Sequence, residues 1–352
     1  MSKSVLRDKD RKVLGLVVES FVRNGRPVSS GALCQTRRIS ASPATLRNIM
    51  AKLEAMGFLS QPHTSAGRLP TDKGLRHYVG GLLADKALPE ERVPLIQEEF
   101  VRRTADLDSL LIQACRILAD SSDNLGFVIS PHIFRLPFEH LRFVKISDRR
   151  ILVILVTPFH MVLTETLESS LPLTQAELDR AAQYVNQSFR GKNILAVRDA
   201  LVRDLPKYRV KYEDTLDKLL DLLKNSIDKE QGENRIFLQG TARLLGKGGL
   251  SDVGKLRTLF QKFEEKAALV RLLSDFISLD RVKVLIGSEA NLPNVEDCSL
   301  VLSHYGYSNQ VLGTLGIIGP KRIPYERIIP LVDRMAKRVS LAITVFGREV
   351  SL

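Results

Sequence analysis

Between Ser42 and Gly57 the chain sets polar and small side chains at a spacing that could read a nucleic acid. Ser42 is a preferred helix cap, and Pro43 suits the first helical position, where its missing N–H is no loss. From there Leu46, Ile49, Met50, Leu53 and Met56 recur at 3,4 spacing and predict one apolar stripe on a helix closed by Gly57. The opposite side carries Ala44, Thr45, Arg47, Asn48 and Lys52. Arginine pairs bidentately with guanine and asparagine with adenine, while a small residue such as Ala44 lets the helix come close to the bases. With Ser42 and Thr45 offering hydroxyls to phosphate or base, this side suits entry into a DNA major groove. Helices with an Arg and an Asn on a solvated face also occur in proteins that never meet DNA, so the pattern needs its surroundings.

Those surroundings begin with a short strand, Phe58 to Ser60, followed by Gln61-Pro62-His63-Thr64-Ser65-Ala66-Gly67-Arg68. A Pro/Ser/Gly-rich loop ending in a cation is what a wing beside a recognition helix requires. His63, Thr64 and Ser65 would meet the DNA backbone, and Arg68 could reach phosphate or the minor groove. Thr71 then caps a helix from Asp72 to Leu83, with Lys73 in its first turn as a further candidate phosphate contact.

The elements that must position these residues lie upstream. Leu6 to Val22 carries Val13, Leu14, Val17, Val18 and Phe21 at helical spacing, and Asn24-Gly25-Arg26-Pro27 ends it. Ser29 caps a second, short helix through Ala32, Leu33 and Cys34, and Arg37 to Ala41 makes the turn into the third. Three helices, a strand, a loop and a fourth helix predict a winged helix-turn-helix over residues 1–85. Charge is placed accordingly: the net charge is +12, and residues 1–85 hold 14 Lys and Arg against 6 Asp and Glu. A basic first quarter on a nearly neutral remainder fits a polyanion-binding module joined to something else.

Residues 86–94, with Pro89 and Pro94 around Glu90 and Glu91, read as a linker. Residues 95–120 read as a helix through Leu107, Leu110, Leu111, Ala114 and Leu118. Strands follow at His140–Ile146, Ile151–Val156 and Met161–Leu167, joined by short turns that suggest antiparallel neighbours. From Thr174 to Ile277 the pattern is helical throughout, with segments at 176–189, 194–205, 214–225 and 253–278. Strands return at Val282–Gly287, Ser299–His304 and Gln310–Ile318, before a last amphipathic helix from Pro324 to Val345. The sequence therefore predicts an α+β multidomain chain in which a helical block, 174–278, is inserted into one mixed α/β domain made of 95–173 and 279–352.

Catalytic and cofactor chemistry finds little support. Cys34, Cys115 and Cys298 are sparse, odd in number and far apart, which fits a reducing cytoplasm rather than a disulfide scaffold or a metal site. His132, His140 and His160 have no cysteine or carboxylate partners at metal spacing. Gly246-Lys247-Gly248-Gly249 follows no apolar strand and lacks the Gly-Lys-Ser/Thr completion of a phosphate cradle. His304, beside Tyr305 and Tyr307, reads as strand packing before it reads as part of a cleft. No cofactor, metal or enzymatic activity is expected. The start of the chain does not read as a signal peptide, and the most apolar run, Ile151 to Leu163, is too short and too interrupted by Pro158 and His160 to span a bilayer.

Two runs carry a family resemblance. Ser42-Pro43-Ala44-Thr45-Leu46-Arg47-Asn48 and Gln61 through Gly74 closely resemble the heat-inducible transcription repressors, the HrcA family of bacterial chaperone-operon regulators. A weaker match lies in Gly313 through Arg322, followed by Pro324-Tyr325. The resemblance implies a winged helix-turn-helix, a GAF-like domain with an inserted helical dimerisation domain, and a homodimer on an inverted-repeat operator in double-stranded DNA. It also implies release on heat shock and modulation by the chaperonin. Lys52 departs from the family, which usually has an acidic residue there, so no role for it carries over. The competing reading is a metabolite-responsive regulator with a ligand pocket in its GAF-like domain.

Overall fold

In the computed structural model, residues 6–36, 38–63, 66–84, 107–131, 137–157, 162–168, 172–192, 236–244, 282–290, 296–307 and 310–349 are described. The expected linker, the helices at 194–205, 214–225 and 253–278, His132, His160 and the glycines at 246–249 fall outside them.

The first 84 residues fold around the stripes that the periodicity picks out. Helix α1 (Asp8–Asn24) buries Val13, Leu14, Val17 and Val18, and α2 (Ser30–Gln35) buries Leu33. Helix α3 (Pro43–Ala55) buries Leu46, Met50 and Leu53, and α4 (Asp72–Ala84) buries Leu75 and Val79. Gly25 ends α1 at φ 67°, a left-handed conformation that a side chain resists, and its N–H bonds Phe21 O at 2.7 Å. Strands β1 (Leu59–Ser60) and β2 (Leu69–Pro70) pair antiparallel, Leu59 opposite Pro70.

The remaining described residues form two antiparallel sheets. The larger has the order β7-β3-β10-β9-β8, from β3 (Leu125–Ile129), β7 (Ile236–Gln239), β8 (Lys283–Ile286), β9 (Cys298–Tyr307) and β10 (Gln310–Pro320). Helices α5 (Leu107–Ser122) and α8 (Tyr325–Glu349) pack against each other and against this sheet, and the short α7 (Thr241–Leu244) follows β7. Tyr305 at its centre is fully buried and donates to Ile129 O across two strands, at 2.7 Å. His304 is buried with Nδ1 2.9 Å from Thr314 Oγ1, so it is part of the sheet's packing. The smaller sheet, β4 (His140–Lys145), β5 (Arg150–Val156) and β6 (Val162–Glu168), is covered by α6 (Gln175–Phe189). Phe143, Ile151, Val153 and Leu155 meet Leu178, Ala181 and Val185 there in a core of their own.

Three features differ from the sequence reading. The strands at 140–168 do not join those at 282–320; alternation on β5 presents Ile151, Val153 and Leu155 to α6 instead, which makes a closed two-layer unit. Strand β7 lies inside the span expected to be helical throughout, and it pairs with β3 from Gly126 opposite Gln239 to Ile129 opposite Ile236. Strand β3 itself was not anticipated: all five of its residues are buried, so it lacks the alternation by which a half-buried strand is recognised.

The first 84 residues share one apolar core with the larger sheet and its helices. Polar contacts from α4 reinforce that junction. Arg76 donates to Val284 O and Glu289 Oε1, each at 2.7 Å; Lys321 pairs with Asp72 at 2.6 Å; Tyr78 OH donates to Glu326 Oε1 at 2.8 Å. Burial and the adjacent Glu326 carboxylate hold the Tyr78 phenol above its usual range. Arg322 lies over Gly25, so closely that a Cβ there would meet its guanidinium.

Two outcomes follow. Arg76→Ala should lower the urea-unfolding free energy by about 1–3 kcal/mol, the usual cost of losing hydrogen bonds to a charged group; an unchanged midpoint would show that Arg76 does not hold the junction. His77 Nε2 is buried without a partner among the described residues, and desolvation, then the nearby Arg11, lower the imidazole pKa below its ordinary value. A lowered folded-state pKa means that the unfolded chain binds more protons as acid is added. Stability from this group is therefore full above the unfolded value near ~6.5 and declines as pH falls below it. As pH falls across that range, the urea midpoint of wild type should drop more than that of His77→Leu, and parallel pH profiles would show that His77 carries no such linkage.

Candidate nucleic-acid interface

Helix α3 is built as its sequence indicates. Ser42 accepts from Thr45 N at 3.2 Å, its Oγ lies 2.9 Å from Thr45 Oγ1, and Pro43 occupies the first turn. With Leu46, Met50 and Leu53 inside, Ser42, Ala44, Arg47, Asn48 and Lys52 are exposed, and Thr45 is half-buried. Ala44, Arg47, Asn48 and Ala51 thus line one open helical face with no carboxylate among them.

The loop between β1 and β2 is braced at its base. Gln61 Nε2 donates to Ala66 O at 2.9 Å, and Ala66 N to His63 O at 2.8 Å. Val28 and Arg68 exchange two backbone hydrogen bonds of 2.9 Å, which ties the loop's return to the segment between α1 and α2. Gly67 permits that crossing, since a Cβ there would lie 2.5 Å from the Val28 carbonyl. His63 is exposed at the far end; Thr64 and Ser65 lie outside the described residues.

Three cations expected to face DNA are engaged within the chain. Lys52 Nζ lies 2.5 Å from Asp10 Oδ2 on α1. Arg68 Nε donates to Glu54 Oε2 at 2.8 Å, and its side chain is only 15% exposed. Lys73 Nζ donates to Met56 O at 2.7 Å and sits 4.6 Å from the centre of the Phe58 ring. Sequence reading missed Asp10 and Glu54, the acidic partners. An Asp 42 residues from its Lys leaves no local spacing to find, although an acid buried in a basic module is a signal once burial is known. Thr71, as expected, caps α4 by accepting from Gly74 N at 3.2 Å.

A cleft of about 720 Å³ separates α1 and α4 from the start of α8, lined by Val22, Tyr78, Pro324 and Tyr325 with Arg23 and Arg327. Its Glu19 and Arg38 are paired at 2.5 Å. Among the described residues no group of three or more His, Cys, Asp or Glu could hold a metal ion, and no helix is long and apolar enough to cross a membrane.

Comparison with known proteins agrees from end to end. Residues 108–329, more than half of the chain, match the family described as HrcA protein C terminal domain. The heat-inducible transcription repressor HrcA of Geobacter sulfurreducens is 35% identical over 335 residues, 95% of this chain and 97% of that protein. That of Xanthomonas euvesicatoria pv. vesicatoria is 37% identical over 332 residues, 94% of each. A crystal structure of a hypothetical protein shares the fold with a TM-score of 0.62 at 24% identity, covering 97% of this chain and all of that one. With identity above one third sustained across nearly the whole length, this chain belongs to the HrcA family of heat-inducible transcription repressors.

Proposed function

We propose that this chain represses heat-shock transcription by binding operator DNA through a winged helix-turn-helix in its first 85 residues. It is a repressor and not an enzyme, as its relatives are. The observation that carries the DNA reading is the open face of α3, where Ala44, Arg47 and Asn48 stand clear of the core and, among the described residues, of any carboxylate partner. In this reading α3 enters the major groove, with Arg47 and Asn48 at base edges and Ser42 and Thr45 on phosphate or base. His63, Thr64 and Ser65 meet the flanking backbone.

The finer parts of the reading follow from the resemblance to the HrcA family, with two-fold symmetry as their physical support. Two copies pair through the region inserted at 174–278 and present two DNA modules to an inverted repeat, because two-fold protein symmetry calls for two-fold operator symmetry. Of the divided domain read over 95–173 and 279–352, the larger sheet with its helices is the GAF-like part, while β4 to β6 form a separate unit with α6. The repressor works in the cytoplasm, where heat loosens a marginally stable DNA-competent dimer and the chaperonin restores it. A second reading, a metabolite-responsive regulator, is favoured by the cleft between α4 and α8, where a bound molecule would touch the DNA module and the sheet domain together. Thermal-shift screening separates the two, since only the second calls for a ligand that raises Tm at that cleft.

Arg47→Ala should remove about 1–3 kcal/mol of discrimination between operator and scrambled duplexes, the worth of one bidentate base contact. Gel shifts with both duplexes check it, and equal losses on the two would count against base reading. Wild-type operator binding should also vanish reversibly over a narrow range of rising temperature and return faster when chaperonin is present. Binding unchanged through that range would end the thermal-switch account.

A further inference from the structure

Helix α3 is gripped at its C-terminal half by three charged groups from three different elements. Asp10 of α1 holds Lys52, Arg68 at the return of the loop holds Glu54, and Lys73 of α4 holds the Met56 carbonyl. The apolar stripe beneath, Leu46, Met50 and Leu53, resists separation but not a small roll, because apolar contact has no direction. Hydrogen-bonded charges have direction. Arg47 and Asn48 lie only about 7 Å along the axis from Lys52, at 1.5 Å of rise per residue, so a roll at the gripped end is carried to the base-reading end.

From this we propose that Asp10 is a positioning residue for operator recognition: through Lys52 it sets the rotation of α3. The inference rests on the DNA reading given above and deepens it. Asp10 is suited to the task because its side chain is 7% exposed and cannot wander, whereas that of Lys52 is 47% exposed. Lys52 is therefore the movable member brought to a fixed acceptor. Its ammonium is directed to Asp10 instead of a phosphate. Base reading tolerates displacements of only about 0.5 Å or 10–20°, so loss of this contact weakens the operator more than random DNA.

The test uses the full chain and an operator duplex that the wild type selects from a random pool, with a scrambled duplex as control. Asp10→Ala should lower the operator-to-scrambled affinity ratio about ten-fold, equivalent to about 1.4 kcal/mol, and speed hydrogen exchange of the α3 amides measured without DNA. The exchanged pair, Asp10→Lys with Lys52→Asp, should restore both and leave the salt dependence of binding unaltered. If Lys52 were instead a phosphate ligand restrained by Asp10, Asp10→Ala would tighten both duplexes, and the exchanged pair would lose affinity on both while the salt slope fell by about one. Either result overturns the proposal, as does unchanged α3 exchange in Asp10→Ala. Should circular dichroism show the exchanged pair unfolded, Lys52→Met decides: a lowered ratio with native helix content and an unaltered salt slope supports positioning, and equal losses on the two duplexes reject it. A wild type that selects no duplex would defeat the DNA reading, while the exchange measurement would still decide whether Asp10 holds α3.

Discussion

Burial of Leu46, Met50 and Leu53 is the constraint on which the rest of this molecule's function depends. A helix that hides those three residues must turn Ala44, Arg47 and Asn48 the other way, since positions near 100° apart per residue cannot all face the core. The Ser42 cap and Pro43 start the helix at the one place that leaves its first turn free. A different start would carry the same side chains to another side. The open face is a consequence of core formation, available before any nucleic acid arrives.

Holding that face is a separate task from creating it, and the chain gives the two to different kinds of residue. Uncharged and singly cationic side chains, Ala44, Asn48 and Arg47, stand outside. Lys52, Arg68 and Lys73 are instead drawn to Asp10, Glu54 and a carbonyl, and partial burial makes the first two contacts stronger than a fully exposed pair would be. The basic charge of the first quarter therefore overstates what is available to phosphate. Part of it balances acids within the module.

Helix α4 joins this module to the larger sheet. It begins beside the loop at Thr71 and runs along the β8 edge, where Arg76 reaches Val284 and Glu289 and Asp72 meets Lys321. One apolar core runs through the junction. Between α4 and α3 the contacts are made by Phe58, Gly57 and Thr71, whose hydrogen bonds join the start of one helix to the end of the other. The small sheet under α6 has a separate core and no such apolar continuity with the module among the described residues.

Local pattern determined a good deal. Helical periodicity and capping residues located α1 to α4, α6 and α8, alternation located β4 to β6, and the exposed residues of α3 followed from its stripe. These features depend on neighbours within a few positions, which is why one sequence suffices to read them. Tertiary structure decided what depends on distance along the chain. Strand β3, buried on both faces, and β7, paired with it from more than a hundred residues away, have no periodic mark. Which strands share a sheet was likewise settled by which surface each could cover. The same holds for the cations: whether Lys52 or Arg68 meets a phosphate or a carboxylate depends on what folding brings alongside, and Asp10 and Glu54 arrive there only through the packing of α1, α3 and the loop.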